Sequence, residues 1–167
     1  MYLLGGIAGI GAVVASTAGY PSKPPGEFFT WEELTTTSHG SNPLTGAGER
    51  ALRALTENTL DPFRRWFGRV VRPTSGWRSY RINRKVGGAK GSQHMKGEAT
   101  DFVVPGMTSE QLASAFLRSG VPFDQIVWYA HKPHLHVSYT TKSPLRRQVT
   151  FSPAPKTYRM DTYPQAT

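Results

Sequence analysis

Five histidines occur in the chain, and four of them, His94, His131, His134 and His136, fall into two short stretches. The first stretch runs Ser92-Gln93-His94-Met95-Lys96-Gly97-Glu98-Ala99-Thr100-Asp101, and the second is His134-Leu135-His136. A histidine and an aspartate separated by a glycine, answered later by His-x-His, make a plausible three-ligand zinc set. Two imidazoles and one carboxylate leave a fourth tetrahedral position for water, the arrangement of a catalytic rather than a structural zinc. Along a strand, side chains alternate faces, so His134 and His136 point the same way while Leu135 faces the core. One ring of the pair can then ligate while the other stands beside the metal. Zinc held in this way lowers the pKa of its water toward ~7 and polarises a carbonyl oxygen. A nearby cation would stabilise the oxyanion that follows, and Arg78 is the candidate. The plainer reading of Arg78 is a salt bridge or a stacked surface guanidinium.

A lone histidine beside an apolar strand is more often a hydrogen-bonded structural residue than a ligand. The joint pattern carries the metal reading. His94 and Asp101 lie too far apart for one helical turn. They converge only if Gly97 turns the chain into a strand that begins at Ala99.

The elements that must position these residues follow from pattern. Thr30-Trp31-Glu32-Glu33 reads as a capping box opening a short helix. Residues 48–67 repeat apolar side chains at helical spacing (Leu52, Leu55, Phe63, Trp66), with Pro62 predicting a kink or a fresh first turn and Gly68 ending the run. Residues 70–75 read as a strand leading to Arg78. Asn83 to Gly91 is glycine-rich and basic, and reads as a mobile surface loop rather than a phosphate cradle. An apolar strand is expected over 99–104, and a helix capped by Thr108 and Gln111 runs to Leu117, where Gly120 closes it. Residues 125–129 and 135–139 are β-branched and aromatic and read as paired strands, with 147–151 as an added edge strand. Trp66, Trp77 and Trp128 are expected in the core, and Glu98 in solvent.

Composition narrows the function class. The 167 residues suit one compact domain with short extensions. Residues 1–27 read as an apolar arm or anchor followed by a Pro/Gly linker, 28–151 as the folded domain, and 152–167 as an irregular tail. The segment 1–18 has no charged side chain and is near the lower length for spanning a bilayer; it either makes weak membrane contact or docks on a partner protein. Lysine and arginine total 20 against 11 acids, a net charge of +9, which favours polyanionic surroundings such as a bacterial envelope. Nucleic acid ranks below the envelope as a partner, because it leaves the His/Asp constellation without a purpose. No cysteine is present, so disulfides and thiolate metal sites are excluded.

The strings Thr74-Ser75-Gly76-Trp77-Arg78-Ser79, Ser92 to Asp101, and Phe123-Asp124-Gln125-Ile126-Val127 leading to His134-Leu135-His136-Val137 resemble the zinc D-alanyl-D-alanine metallopeptidases. That group includes murein carboxypeptidases, vancomycin-resistance dipeptidases and phage L-alanyl-D-glutamate endolysins. The resemblance implies that His94, Asp101 and His136 are the zinc ligands and that Arg78 binds a substrate or transition-state oxygen. It implies an α+β fold in which a small antiparallel sheet carries the zinc and helices pack on one side. Many members place a carboxylate three residues before the last zinc histidine; here that position is Pro133. By analogy with relatives that end in His-x-His, His134 takes the catalytic role, with Tyr129 and His131 as weaker candidates. Asp124 is expected to hold the fold. The expected function is zinc-dependent hydrolysis of peptidoglycan peptide stems or cross-links. The setting would be phage-type, in the virion tail or the host envelope and periplasm, with tail proteins as further partners through residues 1–18. A catalytically inactive wall-binding or tail-structural module is the alternative.

Overall fold

The computed structural model describes residues 20–160, so the apolar arm, residues 1–18, lies outside the described residues. Among those described, no helix is long and apolar enough to cross a membrane. The fold is α+β, built on a six-stranded sheet in the order β1-β2-β4-β3-β5-β6. The strands are β1 (Arg72–Ser75), β2 (Ala99–Val103), β3 (Gln125–Tyr129), β4 (Leu135–Ser138), β5 (Gln148–Ser152) and β6 (Arg159–Met160). Neighbours pair antiparallel except β3 and β5, which run parallel, so the sheet is mixed rather than wholly antiparallel. After β4 the chain passes to the far side of β3 and lays down β5 there. β6 then covers β5, which is therefore not an edge, and the tail past Pro153 is partly strand.

Alternation along the strands divides the sheet into a packed face and a chemical face. Phe102, Leu135, Val137 and Ile126 are fully buried and join one apolar cluster with Leu52, Leu55, Phe63, Leu112 and Phe116. Those last five belong to α2 (Gly46–Leu55), α3 (Asp61–Phe67) and α5 (Ser109–Arg118). The alternate positions Asp101 and His136 lie on the other face.

The long helical run is unbroken. Pro62 has no N–H to continue the ladder, and a π-helical turn, Thr56–Leu60, joins α2 to α3, with Asp61 N–H donating to the Thr56 carbonyl. Asp61 faces inward and its carboxylate accepts from the Glu27 and Phe28 amides at 2.6 and 3.2 Å. The proline-rich lead-in is thus seated on the domain, further held by Trp31 Nε1 donating to the Lys23 carbonyl at 2.9 Å. The expected capping boxes are formed at α1 (Trp31–Thr35) and α5, both with threonine caps. Gly68 and Gly120 end their helices in the left-handed region, at φ 68° in each case.

Three local expectations change. Residues 80–85 form a short helix, α4 (Tyr80–Lys85), capped by Ser79, so the basic glycine-rich stretch begins helically. Ile82 anchors it, fully buried. Trp66 is 51% exposed, stacked on its own helix against Phe63 and Phe67 instead of entering the core. Trp77 is buried and Trp128 partly so, stacked on Phe151 of β5. Glu98 is half-buried and accepts from the Thr140 hydroxyl at 3.0 Å, rather than facing solvent.

Asp124 holds the fold, as expected. Its buried carboxylate accepts from Gln93 Nε2 (3.0 Å), from the Arg146 amide (2.9 Å), and from Arg146 Nε and Nη2 (2.9 and 2.6 Å). Burial by itself would raise the Asp124 pKa; the bonds from Arg146 outweigh it and hold the carboxyl below its ordinary value. A depressed carboxylate pKa stabilises the fold above the ordinary aspartate range, and that share is lost as pH falls through the native value. Because Arg146 is half-exposed, the effect is modest. Asp124→Asn should therefore cost about 2 kcal/mol at pH 7, with the gap to wild type narrowing below pH ~4. Urea unfolding at both pH values checks this, and a gap that stays constant would contradict it.

Candidate metal centre

Each of the three predicted ligands arrives on a different element. Asp101 and His136 are directly opposite one another in the β2–β4 register, so both project from one face of adjacent strands. His94 comes from a 3-10 turn, Gln93–Lys96, which Gly97 closes at φ 75° before β2 begins. The turn delivers the ring to the strand pair, as the glycine spacing predicts.

The three side chains are buried, at 4% (His94), 7% (Asp101) and 9% (His136) relative exposure. Their donor atoms lie within 4.8 Å of one another. In detail, His94 Nε2 is 3.2 Å from Asp101 Oδ1, His136 Nδ1 is 2.8 Å from the same oxygen, and the two ring nitrogens are 3.3 Å apart. Ligand atoms ~2.0–2.1 Å from a tetrahedral zinc stand ~3.3 Å apart, so the cluster nearly matches a zinc coordination face. Neighbouring groups fix which atoms are free to ligate. His94 Nδ1 is 2.7 Å from the Gly76 carbonyl, which can only accept; Nδ1 therefore carries the proton and Nε2 presents its lone pair. The second oxygen of Asp101, Oδ2, accepts from Arg78 Nη2 at 2.9 Å, leaving Oδ1 turned to the imidazoles.

The electrostatics keep these groups in ligand form. Burial pushes the His94 pKa down, against the opposing pull of Asp101, so the ring is neutral near pH 7. Burial alone would raise Asp101; at the acid pH where it would titrate, the imidazoles of His94 and His136 are protonated beside it and hold its carboxyl well below the usual carboxylate range, so near pH 7 it is ionised. A neutral imidazole and a carboxylate are what a divalent ion requires.

Arg78 lies against the cluster, and the salt-bridge reading of it is realised. Besides its bond to Asp101, its Nε donates to Ser75 Oγ at 2.8 Å, and its backbone amide donates to the His94 carbonyl at 3.1 Å. A register shift in the β1–β2 pair, between Pro73 and Ser75, sets Ser75 opposite Asp101 and brings Arg78 alongside. His134 sits just before β4, half-buried, its ring edge-on to Tyr129 at 4.8 Å. Burial lowers its pKa, chiefly by desolvation. His131 is exposed and stacks edge-on against the other candidate, Tyr129, at 5.7 Å.

Two clefts meet at the centre. A smaller one of about 730 Å³ and a larger one of about 1060 Å³ share Arg78, Asp101 and His134, and His94 and His136 open into the larger. The result is a groove passing over the metal ligands, a shape suited to an extended chain. Positional pattern did not single out Ser75 or the Gly76 carbonyl as parts of the site. Both lie inside the Thr74 to Ser79 string, which is their only signal in the sequence.

No curated protein sequence matches the chain. A family model described as Peptidase M15 matches residues 27–138, the span that contains every residue of the cluster, Arg78 and His134. M15 peptidases are zinc-dependent, and the buried His-Asp-His face fits that ion. The chain belongs to the M15 metallopeptidase family.

Proposed function

We propose that this protein hydrolyses the peptide stems or cross-links of bacterial peptidoglycan, as a phage-type lytic or virion-associated zinc peptidase. The observation that carries the reading is the buried cluster of His94, Asp101 and His136 at the floor of a continuous groove. These three residues would hold the zinc. Bound there, zinc supplies the Lewis acidity that makes water nucleophilic near neutral pH and polarises a carbonyl oxygen.

The chain's own groups account for the remaining steps. His134 lines both clefts beside the ligands, and its lowered pKa leaves it neutral and able to accept a proton from water and pass it to the leaving amine. Pro133 stands where many relatives carry a carboxylate and Asp124 is paired with Arg146, while the His134 ring lies beside Arg78 and Asp101 in both clefts, which favours it as the group that moves the proton. Arg78 serves twice: it turns Asp101 by holding Oδ2, and from the wall of both clefts it faces the oxygen of the scissile carbonyl. The net charge of +9 holds the protein on the anionic wall.

Mass spectrometry of purified murein, digested with and without chelator, tests the reading. New muropeptides are expected only from the zinc-loaded sample, and their masses identify the bond cut. An unaltered murein profile from zinc-loaded protein rejects the enzyme in favour of a wall-binding relative. His134→Ala should lower kcat by ~10²–10⁴ while the zinc content stays at wild-type level; undiminished turnover would remove His134 from the mechanism. Fractionation addresses the setting, since protein in purified particles favours the virion form and membrane-bound protein in induced cells favours the free lysin.

A further inference from the structure

The family match ends at residue 138, yet the wall of the larger cleft does not. Lys142, Arg146, Lys156, Tyr158 and Arg159 all line that cleft together with His94 and His136. The segment carrying them is built into the sheet. β5 runs parallel to β3 over its whole length, Trp128 and Phe151 stack with ring centroids 4.0 Å apart, and β6 pairs with β5. Gln148 Nε2 also reaches Met160 Sδ at 3.0 Å. Residues 139–160 are thus an added wall, fixed beside the metal centre.

This wall is strongly cationic. Arg146 is neutralised by Asp124, but Lys142, Lys156 and Arg159 meet no carboxylate at ion-pair distance among the described residues. Lys96 and Lys132, from the matched region, share the same cleft and are equally unpaired, and the one acid there without an ion pair is Glu98. The smaller cleft has the opposite character: Glu32 and Glu33 line it, and its one lysine or arginine, Arg78, is ion-paired with Asp101. The groove therefore changes sign as it crosses the metal ligands. Five unpaired cations in one concave surface raise its positive potential well beyond that of scattered surface lysines.

Resting on the peptidase reading above, we propose that residues 139–160 form a carboxylate-binding wall that selects the substrate arm rich in free carboxylates and seats it in the larger cleft. Lys142, Lys156 and Arg159 are its binding residues. A peptide seated this way has its polarity across the metal ligands fixed by charge, with its amine-bearing end directed to the Glu32/Glu33 side.

The test uses the zinc-loaded full chain and two stem-type alanyl-glutamyl peptides, one with its carboxylates free and one with them amidated. Wild type should favour the free-acid peptide roughly tenfold, mainly through KM, and the preference should shrink as salt rises. The double variant Lys156→Glu/Arg159→Glu should lose that preference through a raised KM for the free-acid peptide, with its zinc content at the wild-type level. Arg50→Glu/Arg118→Glu is the control: both sites are exposed, neither lines a cleft, and the net charge falls equally, so the preference should persist. Equal KM for the two peptides in wild type overturns the proposal, and so does a preference that survives in Lys156→Glu/Arg159→Glu or disappears in the control. Should neither peptide be cut, the peptidase reading fails separately. Calorimetric titration of the same uncut peptides then decides this inference, with equal affinities counting against it.

Discussion

His136→Ala should yield a folded protein that carries no zinc and has lost more than ~100-fold of its hydrolytic activity. Loss of an outer partner of a zinc ligand alone costs ~10–100-fold in affinity or activity, so removing a ligand exceeds that range. The two donors that remain, His94 and Asp101, would offer an incomplete face. Histidine 136 projects from β4 beside Asp101, and its loss leaves Asp101 still paired with Arg78, so no buried charge is stranded. The fold should therefore survive better than in Asp101→Ala, which would orphan that guanidinium. Zinc per chain by elemental mass spectrometry is the direct measurement. A second readout is thermal: chelator should lower the wild-type Tm, because an ion bound only by the native state stabilises it, and should leave the variant unmoved. One equivalent of zinc retained by His136→Ala would show that the ion sits elsewhere.

Gly97→Ala is the other change with a large expected effect, and it acts without touching a ligand. Gly97 ends the turn carrying His94, at φ 75°, in the left-handed region that costs a β-carbon-bearing residue ~1–2 kcal/mol. A β-carbon there would lie 2.5 Å from the Gly48 carbonyl oxygen, which belongs to the backbone of α2 and cannot swing aside. Strain and clash together should destabilise the protein by about 3 kcal/mol or more. They should also weaken zinc binding, since relief requires the His94 turn to move off α2. Gly91→Ala, with open space around its β-carbon, is the matched control and should be close to neutral. Urea midpoints and zinc affinity for the two variants decide the matter; a Gly97→Ala protein as stable as Gly91→Ala would refute the close approach.

Local chemistry was readable from residue order wherever a neighbour in sequence supplies the partner. The threonine caps with Glu33 and Gln111, the closing glycines 68 and 120, and the need for a turn at Gly97 involve groups at most a few residues apart. The donor types of the metal set were legible for a related reason: His and Asp in that spacing suit few other purposes together. What the residues could not announce depends on contacts distant in sequence. Trp66 keeps helical spacing with the core residues, but periodicity does not reveal which flank of the stripe another layer will cover. The six-residue α4 is too short to display a period and is held by the burial of Ile82.

Sequence by itself determined the candidate ligands and the two capped helices, because these follow from side-chain chemistry and spacing over a few residues. Tertiary structure alone decided three things. The β2–β4 register put Asp101 across from His136; a shift of one residue would have turned one of them into the core. The pairing of Arg78 with Asp101 left Oδ1 facing the histidines. The parallel addition of β5 to β3, with β6 beyond it, raised a cationic wall along the groove from a segment that composition marks only as edge and tail. Each is a relation between strands or loops far apart in the chain, set by hydrogen-bond register and packing rather than by any local preference.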